Sequence, residues 1–161
     1  MRAVMALSGG MDSTALLCRL LADGYEVSCI SYDYGQKHVI ELERAKANIA
    51  YLSGNEISAE HRIVDLSGVM GIFHSALTND EIDVPEGHYE EDQMKATVVP
   101  NRNAIFSSIL YGYALSIATK EDTDVIIALG VHSGDHAIYP DCRPEFYDSL
   151  GESFALGNWD S

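Results

Sequence analysis

The sequence is as informative in what it lacks as in what it holds. No run of eighteen apolar residues exists anywhere in the chain, so no segment reads as a membrane span. Nor does the start read as a signal peptide, because residues 2–7 (R-A-V-M-A-L) have the look of a buried strand. Basic residues are scarce: 10 Lys and Arg stand against 25 Asp and Glu, a net charge of −15. Such a surface repels nucleic acid and anionic membranes at long range, so a phosphate-bearing ligand needs a local basic patch. Cysteine is sparse as well. Cys18, Cys29 and Cys142 are far apart and form no C-x-x-C pair, which argues against a complete cysteine zinc site. Cys18 and Cys29 fall in apolar stretches and are expected in the core, a pattern that fits a reducing cytoplasm. There is no internal repeat, no low-complexity tract and no linker that would split the 161 residues, so one domain is expected.

What is present reads as alternating strands and helices. Strands are expected at 2–7, 26–32, 61–66 and 125–129. The last of these (V-I-I-A-L) is continuously apolar, as a central parallel strand should be. Helices are expected at 12–23, where leucine and alanine cover most of the circumference, and at 38–52, where Ile40, Ala45, Ile49 and Leu52 recur near helical spacing. A third runs from Asn101 or Asn103, either of which can cap it, to about Lys120, with Ile105, Ile109, Ala114 and Ile117 buried. A fourth begins at Pro144, a residue suited to a first helical turn. Between Ser67 and Pro100 no period is sustained, and so long an irregular stretch is usually functional. This order predicts a doubly wound α/β fold around a mostly parallel sheet. The chain ends A-L-G-N-W-D-S soon after a helix, so one edge of that sheet is expected to lack its covering strand.

In such sheets ligands bind beyond the carboxyl ends of the strands. Three unusual stretches fall there: Ser8-Gly9-Gly10-Met11-Asp12-Ser13, Asp33-Tyr34-Gly35-Gln36-Lys37, and Gly130-Val131-His132-Ser133-Gly134-Asp135-His136. A glycine turn running into a helix aims free N–H groups at whatever lies before the helix, where the dipole also favours an anion. Ser8, Ser13 and Thr14 add hydroxyls. Asp12 beside phosphates requires an intervening cation, which points to Mg²⁺. A plain turn capped by Ser or Asp is the alternative. The turn is not G-x-x-x-x-G-K-[ST], since no lysine follows the glycines, and it is not G-x-G-x-x-G.

S-G-G-M-D-S instead resembles the pyrophosphate-binding loop of the N-type ATP pyrophosphatases. Three further stretches, S-Y-D-Y-G-Q-K-H, E-G-H-Y-E-E-D-Q-M-K-A-T-V-V-P-N-R-N-A-I and H-S-G-D-H-A-I-Y-P-D-C-R-P-E-F, resemble the 7-cyano-7-deazaguanine synthases of the QueC family. The likeness extends over nearly the whole chain. It implies a soluble, cytoplasmic ligase that turns 7-carboxy-7-deazaguanine, ammonia and ATP into the 7-cyano product through adenylated and amide intermediates. Mg²⁺ would accompany the ATP. Zn²⁺ belongs to a cysteine-rich tail that longer members carry and this chain does not reach, together with the fifth strand. The partners implied are small molecules, with no direct nucleic acid and no membrane; homodimers are common in the family.

Carried onto this chain, the resemblance places ATP on Leu7, Ser8, Gly9, Gly10, Met11, Asp12, Ser13, Thr14, Ala15, Leu16 and Leu17. It makes Asp12, Arg102, Asp135 and Arg143 the catalytic candidates. The second substrate falls to Lys95, Asn101, Arg102, Asn103, His132, Asp135, His136, Tyr139, Asp141 and Arg143. Lys37 is a weaker candidate for charge neutralisation. Arg102 as a surface ion pair and Asp141 as a helix cap are the plain alternatives. His132 and His136 stand four apart, but on a loop. Tyr111, Tyr113 and Phe106 are expected in core packing. Rival readings are another adenylating enzyme with the same loop, an amidotransferase synthetase or a tRNA thiolase, or a nucleotide-binding module without activity.

Overall fold

A computed structural model describes residues 1–36, 40–73, 98–131 and 139–159. Four strands, β1 (Arg2–Ala6), β2 (Glu26–Asp33), β3 (Glu60–Asp65) and β4 (Val125–Ala128), form one sheet in the order β3-β2-β1-β4, and every pairing is parallel. Parallel neighbours need crossovers, and helices supply them: α1 (Met11–Ala22), α2 (Ile40–Gly54) and α4 (Arg102–Glu121), with a one-turn helix α3 (Ser67–Met70) after β3. A 3-10 turn (Pro140–Cys142) and α5 (Pro144–Gly157) follow β4.

The alternation of side chains along β1 and β2 divides the core in two. On one face Ala3, Met5, Val27 and Cys29 pack with Leu17 and Leu20 of α1 and Ala45 and Leu52 of α2. On the other face Val4, Ile30 and Tyr32 pack with Met70 of α3 and Leu110, Ala114 and Ile117 of α4. The sheet is thus covered on both sides, as a doubly wound fold requires. The chain builds outward from β1 to β3 and then returns to the opposite flank of β1 with β4. The carboxyl ends of β1 and β4 are therefore where the winding reverses, the place where a crevice opens in such sheets.

The structure departs from several expectations. β4 lies at an edge among the described residues, not at the centre; Ile126 and Ile127 are 41% and 37% exposed. A run of apolar residues cannot distinguish a strand flanked on both sides from one whose second flank is open. α1 is buried along one stripe, Ser13, Leu17 and Leu20, and not around its circumference. Cys18, expected in the core, is exposed: it follows Leu17 by about 100° around the helix and faces away from the sheet. Ile40 opens α2 and is 55% exposed, while Leu42 takes the buried position. Asn101 precedes α4 in the left-handed region (φ 58°), where it makes no side-chain cap; the carbonyl of Asn101 instead accepts the Ile105 N–H. The stretch 67–100 contains α3, whose Met70 is fully buried; residues 74–97 lie outside the described residues.

Cys29 is 1% exposed, and burial pushes its thiol pKa up to about 12. The thiolate is the reactive form. An alkylating reagent at neutral pH should therefore modify Cys18 in the native protein and reach Cys29 only after denaturation. Peptide mass spectrometry of timed samples reads the order. Equal rates at the two sites would contradict the burial of β2.

Candidate active site

The turn between β1 and α1 closes on itself through hydrogen bonds. The Gly10 N–H donates to Ser8 Oγ (3.2 Å), and Ser13 Oγ donates to the Gly10 carbonyl (3.2 Å). The Ser13 proton is thereby engaged, so in the 3.0 Å contact between the two hydroxyls Ser8 is the donor. The Ser8 N–H also donates to Ser13 Oγ (3.3 Å). Thr14 Oγ1 donates to the same Gly10 carbonyl (2.7 Å) and accepts from Asn48 Nδ2 of α2 (2.8 Å). No side chain caps α1, which leaves N–H groups of its first turn for a ligand.

Two glycines allow the backbone to crowd here. Gly9 has φ +81°, and a Cβ on it would stand 2.5 Å from the Glu41 carbonyl oxygen and 2.6 Å from the Ala45 nitrogen of α2. Gly130, just after β4, would bring a Cβ within 3.0 Å of the Ser13 nitrogen. The phosphate-type turn is therefore wedged between α2 and the β4 exit by main-chain contact.

In front of the turn lies a cavity of about 300 Å³. Its floor is Leu7, Ser8, Asp12 and Ser13; α2 contributes Glu41 and Leu42, α4 contributes Arg102, Asn103, Phe106 and Ser107, and Gly130, Cys142 and Tyr147 close the far side. Tyr32 and Tyr34 supply an aromatic wall. The Tyr32 ring stacks on Phe106 (centroids 4.0 Å apart, 9° between planes), and Tyr32 Oη donates to the Phe106 carbonyl at 2.9 Å. Arg102 Cζ lies 5.9 Å from the Tyr34 ring centroid, within cation–π range. Burial raises the phenol pKa of both Tyr32 and Tyr34, and Arg102 partly offsets the rise at Tyr34. Burial likewise pushes Tyr147 up to about 12. All three tyrosines are neutral at physiological pH and act as hydrogen-bonding, stacking walls. Asn103 Nδ2 reaches the Asp141 carbonyl (3.3 Å) and Cys142 Sγ (3.7 Å), tying the start of α4 to the 3-10 turn. An aromatic wall, a guanidinium, and free N–H groups at a helix start together suit a nucleotide-sized anion.

A family model described as "Queuosine biosynthesis protein QueC" matches residues 2–161. The chain belongs to the QueC family. It is 44% identical over 160 residues to the 7-cyano-7-deazaguanine synthase of Pseudoalteromonas translucida (strain TAC 125), and 47% identical over 159 residues to that of Methanoregula boonei (strain DSM 21154 / JCM 14090 / 6A8). In both cases the match takes in 99% of this chain and 69% of the relative. Among solved structures, NMN synthetase from Francisella tularensis is similar at 14% identity and a TM-score of 0.47, over 96% of this chain and 61% of that one, too loose a likeness to carry an argument.

Within this QueC-family chain, the structure brings Leu7, Ser8, Asp12, Ser13, Arg102 and Asn103 around one cavity. Others of the stretch 7–17 point elsewhere: Leu17 is fully buried in the core and Met11 is 84% exposed. Thr14 donates its proton to Gly10 and so shapes the turn. Asn101 and Arg143 are exposed, and Tyr139 and Asp141 are half-buried near the rim. Lys37, Lys95, His132, Asp135 and His136 lie outside the described residues. Sequence reasoning placed the stretch holding Tyr34 at the rim but gave no ligand role to the cavity walls Tyr32, Tyr34, Glu41, Phe106, Ser107 and Tyr147. Phe106, expected in core packing, packs against the core and lines the cavity as well; helical spacing marks such a residue as inward-facing without saying whether it also meets a ligand. Tyr111 does pack on protein, stacked on Phe154 with centroids 4.6 Å apart, and Tyr113 Oη accepts from Arg62 and donates to Glu60.

Gly9→Ala should cost about 3 kcal/mol, the sum of a left-handed backbone strain and an unavoidable clash with α2. Thermal melting should fall by roughly 10 °C. A melting temperature within a degree or two of the parent would show that the turn does not rest on α2.

Proposed function

We propose that this chain carries out the ATP-dependent conversion of 7-carboxy-7-deazaguanine and ammonia into 7-cyano-7-deazaguanine. The observation that supports it most is the meeting, around one cavity, of the serine-glycine turn, Arg102 and Asn103 of V-P-N-R-N, and Cys142 of Y-P-D-C-R-P. The two curated relatives above carry the name 7-cyano-7-deazaguanine synthase.

The chemistry sets the demands. A carboxylate carbon is electron-rich and resists ammonia. Transfer of AMP from ATP releases pyrophosphate and makes a mixed anhydride with a good leaving group. Ammonia displaces AMP to give the amide. A second adenylation on the amide oxygen releases another pyrophosphate, and loss of AMP and a proton leaves the nitrile. No enzyme nucleophile is needed, so the protein works by placement and charge stabilisation. The first-turn N–H groups of α1 hold the phosphates. Arg102 opposes charge that develops on the α-phosphate and the departing pyrophosphate. The stacked Tyr32 and Phe106 and the neutral Tyr34 shape the wall against which a planar ring lies and help exclude water. Asp135 and Arg143 remain the candidates for holding the deazaguanine edge and its carboxylate.

The donor set fits Mg²⁺ bound with ATP. Asp12, exposed on the cavity floor, supplies a carboxylate, and phosphates and water complete such shells. When bound, the ion neutralises phosphate charge. For zinc the described residues do not fit: Cys18, Cys29 and Cys142 sit on α1, β2 and the 3-10 turn, and no metal-sized cluster of His, Cys, Asp and Glu forms among the described residues. The reading extends to a cytoplasmic protein that acts on the free heterocycle, not on nucleic acid, in keeping with the charge of −15, and to a homodimer.

Incubation with ATP, Mg²⁺, ammonium and 7-carboxy-7-deazaguanine should yield the amide and then the nitrile by mass spectrometry. ATP binding without either product would instead support a binding module. Asp12→Asn should slow adenylation about a hundredfold, on the order of 3 kcal/mol of lost charge stabilisation, with melting unchanged. Asp12 makes no cap bond at the start of α1, so the amide leaves the helix start intact. Near-normal ATP consumption by the variant would reduce Asp12 to a helix-start residue.

A further inference from the structure

Ser107 lies on the core-facing stripe of α4 with Leu110, Ala114 and Ile117, a row where an apolar side chain is the rule. It is 5% exposed, and among the described residues its Oγ is the buried side-chain polar atom without a hydrogen-bond partner. Its neighbours on the same helix show what a serine there ordinarily does. Ser108 Oγ donates to the Ala104 carbonyl (2.8 Å) and Ser116 Oγ to the Gly112 carbonyl (2.9 Å), one turn back. Ser107 makes no such bond. Burying a hydroxyl unpaired is unfavourable, so its place calls for a reason.

The two cavities supply one. Ser107 lines the cavity in front of the phosphate-type turn and also a second, mainly apolar cavity of about 600 Å³ between α4, α5 and β4. Leu129, Val131, Cys142 and Tyr147 line both with it. The wall between the two cavities is thus apolar or aromatic except for the Cys142 thiol, the Tyr147 phenol and the unpaired Ser107 hydroxyl. A planar heterocycle against such a wall is oriented by the few polar groups there. A serine hydroxyl both donates and accepts, so it can read a ring nitrogen, an N–H or a carbonyl.

We propose that Ser107 is a ligand contact whose hydroxyl hydrogen-bonds the edge of a purine-type ring. The assignment rests on the function proposed above, in which two such rings enter: the adenine of ATP and the deazaguanine. Both share the chemistry Ser107 recognises, and the test separates them.

The test compares the parent chain with Ser107→Ala by calorimetric titration. One arm uses Mg²⁺–ATP. The other uses 7-carboxy-7-deazaguanine in the presence of a non-hydrolysable ATP analogue. Melting of the unliganded proteins is measured alongside. Loss of the hydroxyl should weaken one of the two ligands about five- to tenfold and leave the other within twofold. The ligand affected is the one whose ring Ser107 reads. Melting of the variant should be equal or higher, because an unpaired polar atom has been removed. Unchanged affinity for both ligands would overturn the assignment and leave the proposed function standing. Equal weakening of both would show an effect of wall shape and overturn it too. A lowered melting temperature would reveal a partner for the hydroxyl within the protein and would likewise overturn the assignment. If the parent binds neither ligand, the proposed function falls and this inference with it.

Discussion

The contact on which the rest of the structure depends is the one between Gly9 and the backbone of α2. Van der Waals packing is steep at short range, so removing a single Cβ decides whether two main chains meet. At Gly9 they do, against Glu41 and Ala45. That approach brings the first turn of α2 to the cavity, where Glu41 and Leu42 line it, and sets Asn48 within 2.8 Å of Thr14. On the other flank Gly130 lets the exit of β4 touch Ser13. The turn is held by main chain from two sides, and its own hydroxyls are engaged in closing it. The N–H groups of the first turn of α1 are therefore held in fixed positions by the fold itself.

The sheet explains why the opposing groups lie where they do. β1 has β2 on one flank and β4 on the other, so the cavity at its carboxyl end collects residues from elements far apart in sequence. The face covered by α1 and α2 provides the serine-glycine turn. The face covered by α4 provides Arg102, Phe106 and Ser107. The cavity is thus lined from both layers of the sandwich, and the aromatic stack of Tyr32 on Phe106 shapes the crevice between them.

Much of this was legible in the residues. The strands stand within about one residue of their expected limits, because buried parallel strands are short apolar runs bounded by glycine and charge. The turn after β1 was legible because paired glycines before a helix have few other uses. Less legible was everything that depends on what a residue faces. The run V-I-I-A-L records a strand but not its place at an edge among the described residues. Cys18 and Leu17 look alike in a leucine-rich stretch, yet one faces solvent and the other the sheet. Phe106 and Ser107 sit at inward positions of α4, and helical period does not say whether the inside is core or cavity. Asn101 could be recognised as a helix-start residue, but its left-handed backbone, which withdraws the side chain from capping, could not.

The central position of β1 bears on how the chain comes to be folded as it is made. Arg2 pairs with Val125 and Met5 with Ala128. β2 can join β1 early, but the other flank of β1 has no partner until β4 has left the ribosome. At ordinary rates of synthesis that wait is on the order of ten seconds. During it the nascent sheet presents Val4 and Met5, both fully buried in the end, beside an open row of N–H and C=O groups. A newly made chain thus carries an open strand edge for that interval, and its exposure to mispairing is set by the distance in sequence between its first strand and its fourth.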